Sequence, residues 1–231
     1  DPQVRARGMQ LSMQHPTTGE VPIVASPIRM SDTPVDYRLA PEAPFPAAVE
    51  DVMAAWMWIN EHAVGLGIDP ARIAIGGDSA GGNLSAVLAQ EVGHLGGPLP
   101  KAQVLIQPAT DLTERSETRD LFGEGFFLTE EWMTTFADAY LVGGEDPADP
   151  RLSPLRGDVS GLCPAVVVTS GFDPLRGEGE AYAHAMRDAG VHVEYWCEEG
   201  LIHGFANMLG YGTAAPAAVR RIAAALQRAL V

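Results

Sequence analysis

Cysteine is nearly absent. The chain has 231 residues and only Cys163 and Cys197, so it carries no disulfide framework and no C-x-x-C pair to hold zinc. Positive charge is scarce too, with 15 Lys and Arg against 30 Asp and Glu, a formal net charge of -15. That balance argues against nucleic acid and anionic membrane surfaces, which reward basic residues. No run approaches the ~20 apolar residues of a membrane-spanning helix, and the first residues hold no apolar signal core. Repeats, low-complexity segments and an H-E-x-x-H helix are all missing. What is plentiful is apolar surface: 46% of residues are hydrophobic, enough for a sizeable core. A soluble cytoplasmic globular protein is expected.

Residues 1–34 are weakly patterned and interrupted by Pro16, Pro22, Pro27 and Pro34, with short strands expected around Met9–Met13 and Val21–Ser26. From there helix and strand alternate. Strands are expected at Val35–Leu39, Arg72–Gly76, Ala102–Gln107, Ala165–Thr169 and Val191–Cys197. Helices are expected at Ala47–Ala63, Gly81–Val92, Glu130–Tyr140, Gly179–Ala189 and Thr213–Leu230. The stretch 111–161 reads as irregular apart from the helix at 130–140. Such alternation implies an α/β fold, a mostly parallel sheet with helices on both faces. In these sheets chemistry gathers where strands end at their C-termini.

Three such ends carry reactive groups. Gly77-Asp78-Ser79-Ala80-Gly81 matches G-x-S-x-G between an apolar strand and a helix. There a serine sits on a tight turn with its Oγ outward, and small neighbours at 77, 80 and 81 leave it room. The following helix start, with the Ala80 N–H foremost, offers donors to developing negative charge. Asp173 follows the Val-rich strand, and by itself it reads rather as a helix cap before Pro174 than as an imidazole-orienting carboxylate. His203 lies in a loop between Gly200 and Gly204 after the last strand. The other histidines (His15, His62, His94, His184 and His192) fall in the weak N-terminal part or on helices and strands. The order Ser79, Asp173, His203 is that of a serine hydrolase triad on an α/β sheet. Ser79 would be the nucleophile, His203 the base and Asp173 its orienting carboxylate. A phosphate-binding loop fails on the same residues, because Asn83 and Leu84 stand where Lys and Ser or Thr belong.

Four segments, Asp36-Tyr37-Arg38-Leu39-Ala40-Pro41-Glu42, Gly77-Asp78-Ser79-Ala80-Gly81-Gly82-Asn83-Leu84, Asp173-Pro174-Leu175-Arg176 and His203-Gly204-Phe205, resemble the bacterial hormone-sensitive-lipase-like esterases, the family IV carboxylesterases of the α/β-hydrolase superfamily. The resemblance runs from Val35 to the C-terminus. It implies one α/β-hydrolase domain over 1–231, with 1–34 as N-terminal strands and 111–161 as a partial cap. It implies hydrolysis of short to medium acyl esters by Ser79, Asp173 and His203, with Ala80 as an oxyanion donor. It implies no metal and no organic cofactor, and often a homodimer. Phe126, Phe127 and Trp132, with Met133 and Phe136 nearby, would wall the substrate pocket, although plain packing accounts for them as well.

The family also carries a His-Gly-Gly-Gly oxyanion loop, whereas this sequence has no adjacent glycines before Gly76. We therefore expect a break in the chain between about Val24 and Val35, where that loop and its strand would belong. A second reading stays open on the same ground: a non-catalytic relative that binds a small ligand in the old pocket.

Overall fold

The computed structural model describes β1 (Gln10–His15), β2 (Gly19–Val24), residues 38–210 and residues 212–231. Two compact units are distinguished, Asp1–Tyr37 and Arg38–Val231. In the first, β1 and β2 pair antiparallel, with Gln10 opposite Val24 and His15 opposite Gly19. They lie one or two residues from the expected strands. The expected chain break and most of the expected Val35–Leu39 strand fall outside the described residues. Arg38 and Leu39 are described and are not in a strand.

The second unit is built on four parallel strands, β3 (Ala74–Asp78), β4 (Ala102–Ile106), β5 (Ala165–Phe172) and β6 (Val193–Ile202), in that spatial order. Side chains alternate across a strand, and that alternation builds the layers. Leu105 and Val167 pair in register and share a core with α2 (Ala80–Leu95) and α5 (Arg176–Asp188) through Ala86, Ala89, Tyr182, Ala183 and Met186. Val104 and Val166 also pair, but face the other way. They pack with Ala215, Ala218, Ile222 and Ala225 of α6 (Ala214–Ala229). Helices thus cover both faces. The four parallel strands end toward one edge, where Asp78 is level with Ile106 and Val168, while β5 and β6 run on together to Phe172 and Ile202. α1 (Ala47–His62) lies outside this sandwich and docks on α2 by Trp56 against Leu88 and Val92. The indole Nε1 of Trp56 donates to Pro98 O at 2.9 Å.

Two expectations need correction. The strand expected at Arg72–Gly76 begins later, because Pro70–Arg72 forms a 3₁₀ turn capped by Asp69, whose carboxylate accepts from Ala71 N at 3.0 Å. The 111–161 excursion holds two helices, α3 (Glu117–Phe122) and α4 (Glu130–Tyr140). Ser116 and Thr129 cap them by accepting from the N–H groups of Arg119 and Trp132. α3 is short, which hid it from a periodicity reading. Arg119 grips Glu130 with two hydrogen bonds, at 2.7 and 3.0 Å, and so ties the start of α4 back to α3. Among the described residues no helix is long and apolar enough to cross a membrane.

Candidate active site

Ser79 lies at the junction of β3 and α2 with φ 59 and ψ -117, a backbone region that side-chain-bearing residues rarely occupy. The turn is tight because the chain reverses over its neighbours. A Cβ on Gly77 would stand 2.2 Å from the Gly81 carbonyl group, and a Cβ on Gly82 would stand 2.9 Å from Pro108 Cβ. Gly81, the last residue of the motif, is different: among the described residues a Cβ there meets nothing within 4 Å. The steric requirement for glycine falls on 77 and 82, not on 81 as the motif alone suggests.

Ser79 is the N-terminal boundary residue of α2, yet its hydroxyl does not cap the helix. It lies 2.9 Å from Nε2 of His203. The other imidazole nitrogen, Nδ1, lies 3.0 Å from Asp173 Oδ2. A carboxylate only accepts, so the proton of a neutral imidazole belongs on Nδ1, and Nε2 presents a lone pair to the serine hydroxyl. Asp173 is fully buried, and its second oxygen, Oδ1, accepts from Leu175 N at 2.9 Å. That bond closes a turn just ahead of α5, whose N-cap is Leu175 with no side-chain cap bond; the helix-cap reading of Asp173 is thus not met, and its other oxygen lies against the imidazole. His203 is buried as well. The three residues come from β3, β5 and β6, 79, 173 and 203 along the chain, and meet only because those strands end at one edge.

Ala80 is the first residue of α2, within the first four N–H groups that have no partner inside a helix. Beside the serine, Asp78 is partly buried. Its Oδ2 accepts from Asn207 Nδ2 at 2.9 Å, while Oδ1 has no hydrogen-bond partner among the described residues. Burial lifts the Asp78 carboxyl above its usual range, opposed by the His203 charge and by the Asn207 hydrogen bond.

The aromatic residues divide. The ring of Phe127 lies against Gly204, next to His203, and continues into Trp132 and Phe136 with ring centroids 6.1 and 6.4 Å apart. All three are about half exposed. Phe126 turns to another group, stacking on Phe172 at 5.4 Å and meeting Phe122 edge-on. Gln107 and Asn207 were missed by sequence reasoning. Gln107 had a readable signal, a polar residue at the end of an apolar strand, at the level where function gathers. Asn207 had none.

A sheet of this order, with a serine on the strand–helix elbow, defines an α/β-hydrolase. The sequence matches the family described as alpha/beta hydrolase fold over residues 24–207, and the chain belongs to that family, in its hormone-sensitive-lipase-like branch. It is 48% identical over 200 residues to the carboxylic ester hydrolase LipN of Mycobacterium tuberculosis, covering 84% of this chain and 53% of that protein. It is 39% identical over 176 residues to an ethyl acetate hydrolase of Pseudomonas putida, covering 75% and 55%. The chain thus spans about half the length of these relatives. Among solved structures, the thermostable carboxylesterase EstE1 from a metagenomic library superposes with a TM-score of 0.82 at 42% identity, covering 85% of this chain and 61% to 68% of such neighbours.

Proposed function

We propose that this chain carries the catalytic centre of a serine carboxylesterase acting on short to medium acyl esters. The carrying observation is the continuous hydrogen-bonded series Ser79 Oγ, His203 Nε2, His203 Nδ1, Asp173 Oδ2, at 2.9 and 3.0 Å. Ser79 Oγ attacks the ester carbonyl carbon, and its proton passes to His203 Nε2. The Ala80 N–H faces the developing oxyanion. As the tetrahedral intermediate collapses, the ester C–O bond breaks and His203 returns the proton to the departing alkoxide. Water, deprotonated by His203, then hydrolyses the acyl-serine and releases the acid. Asp173 fixes the imidazole and offsets its transient positive charge. Support for the substrate class comes from the relatives' names, ethyl acetate hydrolase among them. Phe127 and Trp132 are proposed to lie along the acyl chain, with Phe126 walling the pocket from its own group with Phe122 and Phe172, and a homodimer is part of the same proposal.

The test is covalent labelling. A p-nitrophenyl alkylphosphonate should add once per chain, at Ser79, with loss of nitrophenolate. Ser79→Ala should remove both labelling and hydrolysis of p-nitrophenyl butyrate. Labelling at another serine would refute the assignment. Ester binding without any labelling would identify the ligand-binding relative instead.

A further inference from the structure

Gln107 directly follows β4 and is fully buried. Its φ is 47, a left-handed conformation that is unusual for a side-chain-bearing residue and held only where surroundings over-determine it. The backbone N–H donates to Val168 O at 2.6 Å, which locks the residue to β5. The side-chain amide is then surrounded on every side. Oε1 accepts from Gly204 N at 2.8 Å. Nε2 lies 3.0 Å from Asp173 Oδ2 and 3.0 Å from Ile202 O, and it also contacts Ser170 Oγ.

These neighbours permit one orientation of the amide. A backbone N–H only donates, so Oε1 must face Gly204. A backbone carbonyl and a carboxylate only accept, so Nε2 must face Ile202 and Asp173. The site therefore requires one acceptor and two donors on a single planar group. Glutamine supplies that set. A glutamate of the same shape has one proton at most, and methionine has none.

Ile202 and Gly204 are the residues on either side of His203. One amide thus holds the backbone before and after the imidazole-bearing residue, and also the carboxylate oxygen that the imidazole itself bonds. We propose that Gln107 is a positioning residue for the triad, an inference that rests on the esterase reading above. It fixes His203 and Asp173 relative to each other and sets the direction in which Nε2 meets Ser79. It touches neither substrate nor the reacting atoms.

The test compares Gln107→Met, which keeps the shape and removes every hydrogen bond, with Gln107→Glu, which keeps an acceptor for Gly204. The probe is the phosphonate, with the first-order labelling rate and its half-saturation concentration measured separately and normalised to the final label per chain. A misplacement of about 1 Å at a reacting centre costs up to ~10²-fold, so the Gln107→Met rate should fall roughly 10- to 100-fold with half-saturation within about twofold of wild type. A merely structural role would lower the labelled fraction and leave the rate of that fraction unchanged, and that result overturns the proposal. Gln107→Glu should lose rate as pH rises, as its carboxyl ionises against Asp173, a falling limb absent from the wild type. A wild-type pH profile for this variant overturns the proposal even if Gln107→Met does not fold. If the wild-type chain is not labelled at all, the esterase reading fails and the ¹⁵N shifts of the His203 ring decide the positioning claim. The wild type should then show a single Nδ1–H tautomer and Gln107→Glu a mixture, and identical spectra overturn the claim.

Discussion

Asn207 Nδ2 donates to Asp78 Oδ2 at 2.9 Å, joining the residue before Ser79 to the loop four residues after His203. The bond spans two parts of the chain that a sequence reading treats separately, and among the described residues Asp78 Oδ1 has no partner. Asn207→Ala strips the carboxylate of its side-chain donor. An unsatisfied buried acceptor costs ~1–3 kcal/mol. Because Asp78 is only partly buried, a loss near the lower end, about 1 kcal/mol, is expected in urea unfolding. Unchanged stability would mean water replaces the amide.

Asp173→Asn keeps the volume and removes the charge opposite His203. The amide pairs poorly with an Nδ1–H imidazole and favours the wrong tautomer, a change that lowers kcat by roughly 10⁴-fold in serine hydrolases with this triad. The same drop is expected here in p-nitrophenyl butyrate hydrolysis, with the fold retained by circular dichroism. A loss below tenfold would mean that Asp173 serves mainly to hold the turn at Leu175 before α5.

The elbow glycines should separate cleanly. Gly77→Ala drives a Cβ to 2.2 Å from backbone atoms that cannot move independently, and a loss of more than ~3 kcal/mol or failure to fold is expected. Gly81→Ala has open space and a helical position, where alanine is favoured over glycine by roughly 0.5–1 kcal/mol. Thermal unfolding of the two variants should move in opposite directions. Equal destabilisation would contradict the geometry.

Glu178 is expected to add a pH-dependent contribution to the stability. Its Oε1 accepts from Thr110 N at 2.7 Å and from Asp111 N at 3.3 Å, anchoring the chain as it leaves β4 for the excursion. Burial nevertheless pushes its carboxyl up to about 8, against the pull of those two N–H groups. In the unfolded chain a glutamate loses its proton near ~4.3. Between those values the unfolded state binds fewer protons than the folded state, so stability falls as pH rises from ~4.3 toward 8 and levels off above it. Glu178→Gln removes that slope. The melting temperature of the variant relative to wild type should therefore climb between pH 5 and pH 8, and a constant difference would refute the buried-proton account.

Local signals were enough to read most of this protein from its sequence. The run Ala165–Thr169, the apolar stripe of 47–62 and the Ala-rich C-terminal segment each announce their element, because period and propensity act within a few residues. The elbow at Ser79 was legible for the same reason: a strand, small residues and a helix lie next to one another in the chain. Asp173 and His203 were legible by their places after strands and by family resemblance, yet nothing local separated Asp173's capping role from its role toward His203. Tertiary structure resolved that by placing one oxygen at His203 Nδ1 and the other at Leu175 N, in the turn before α5 rather than at its cap. It also moved the glycine requirement from 81 to 82, since the obstructing group is Pro108, 26 residues away. Gln107 showed in the sequence only as a polar residue at the end of an apolar strand, and its contacts were not legible there. Its partners come from positions 170, 173, 202 and 204, and only the register of three parallel strands, β4, β5 and β6, brings those donors and acceptors around one amide.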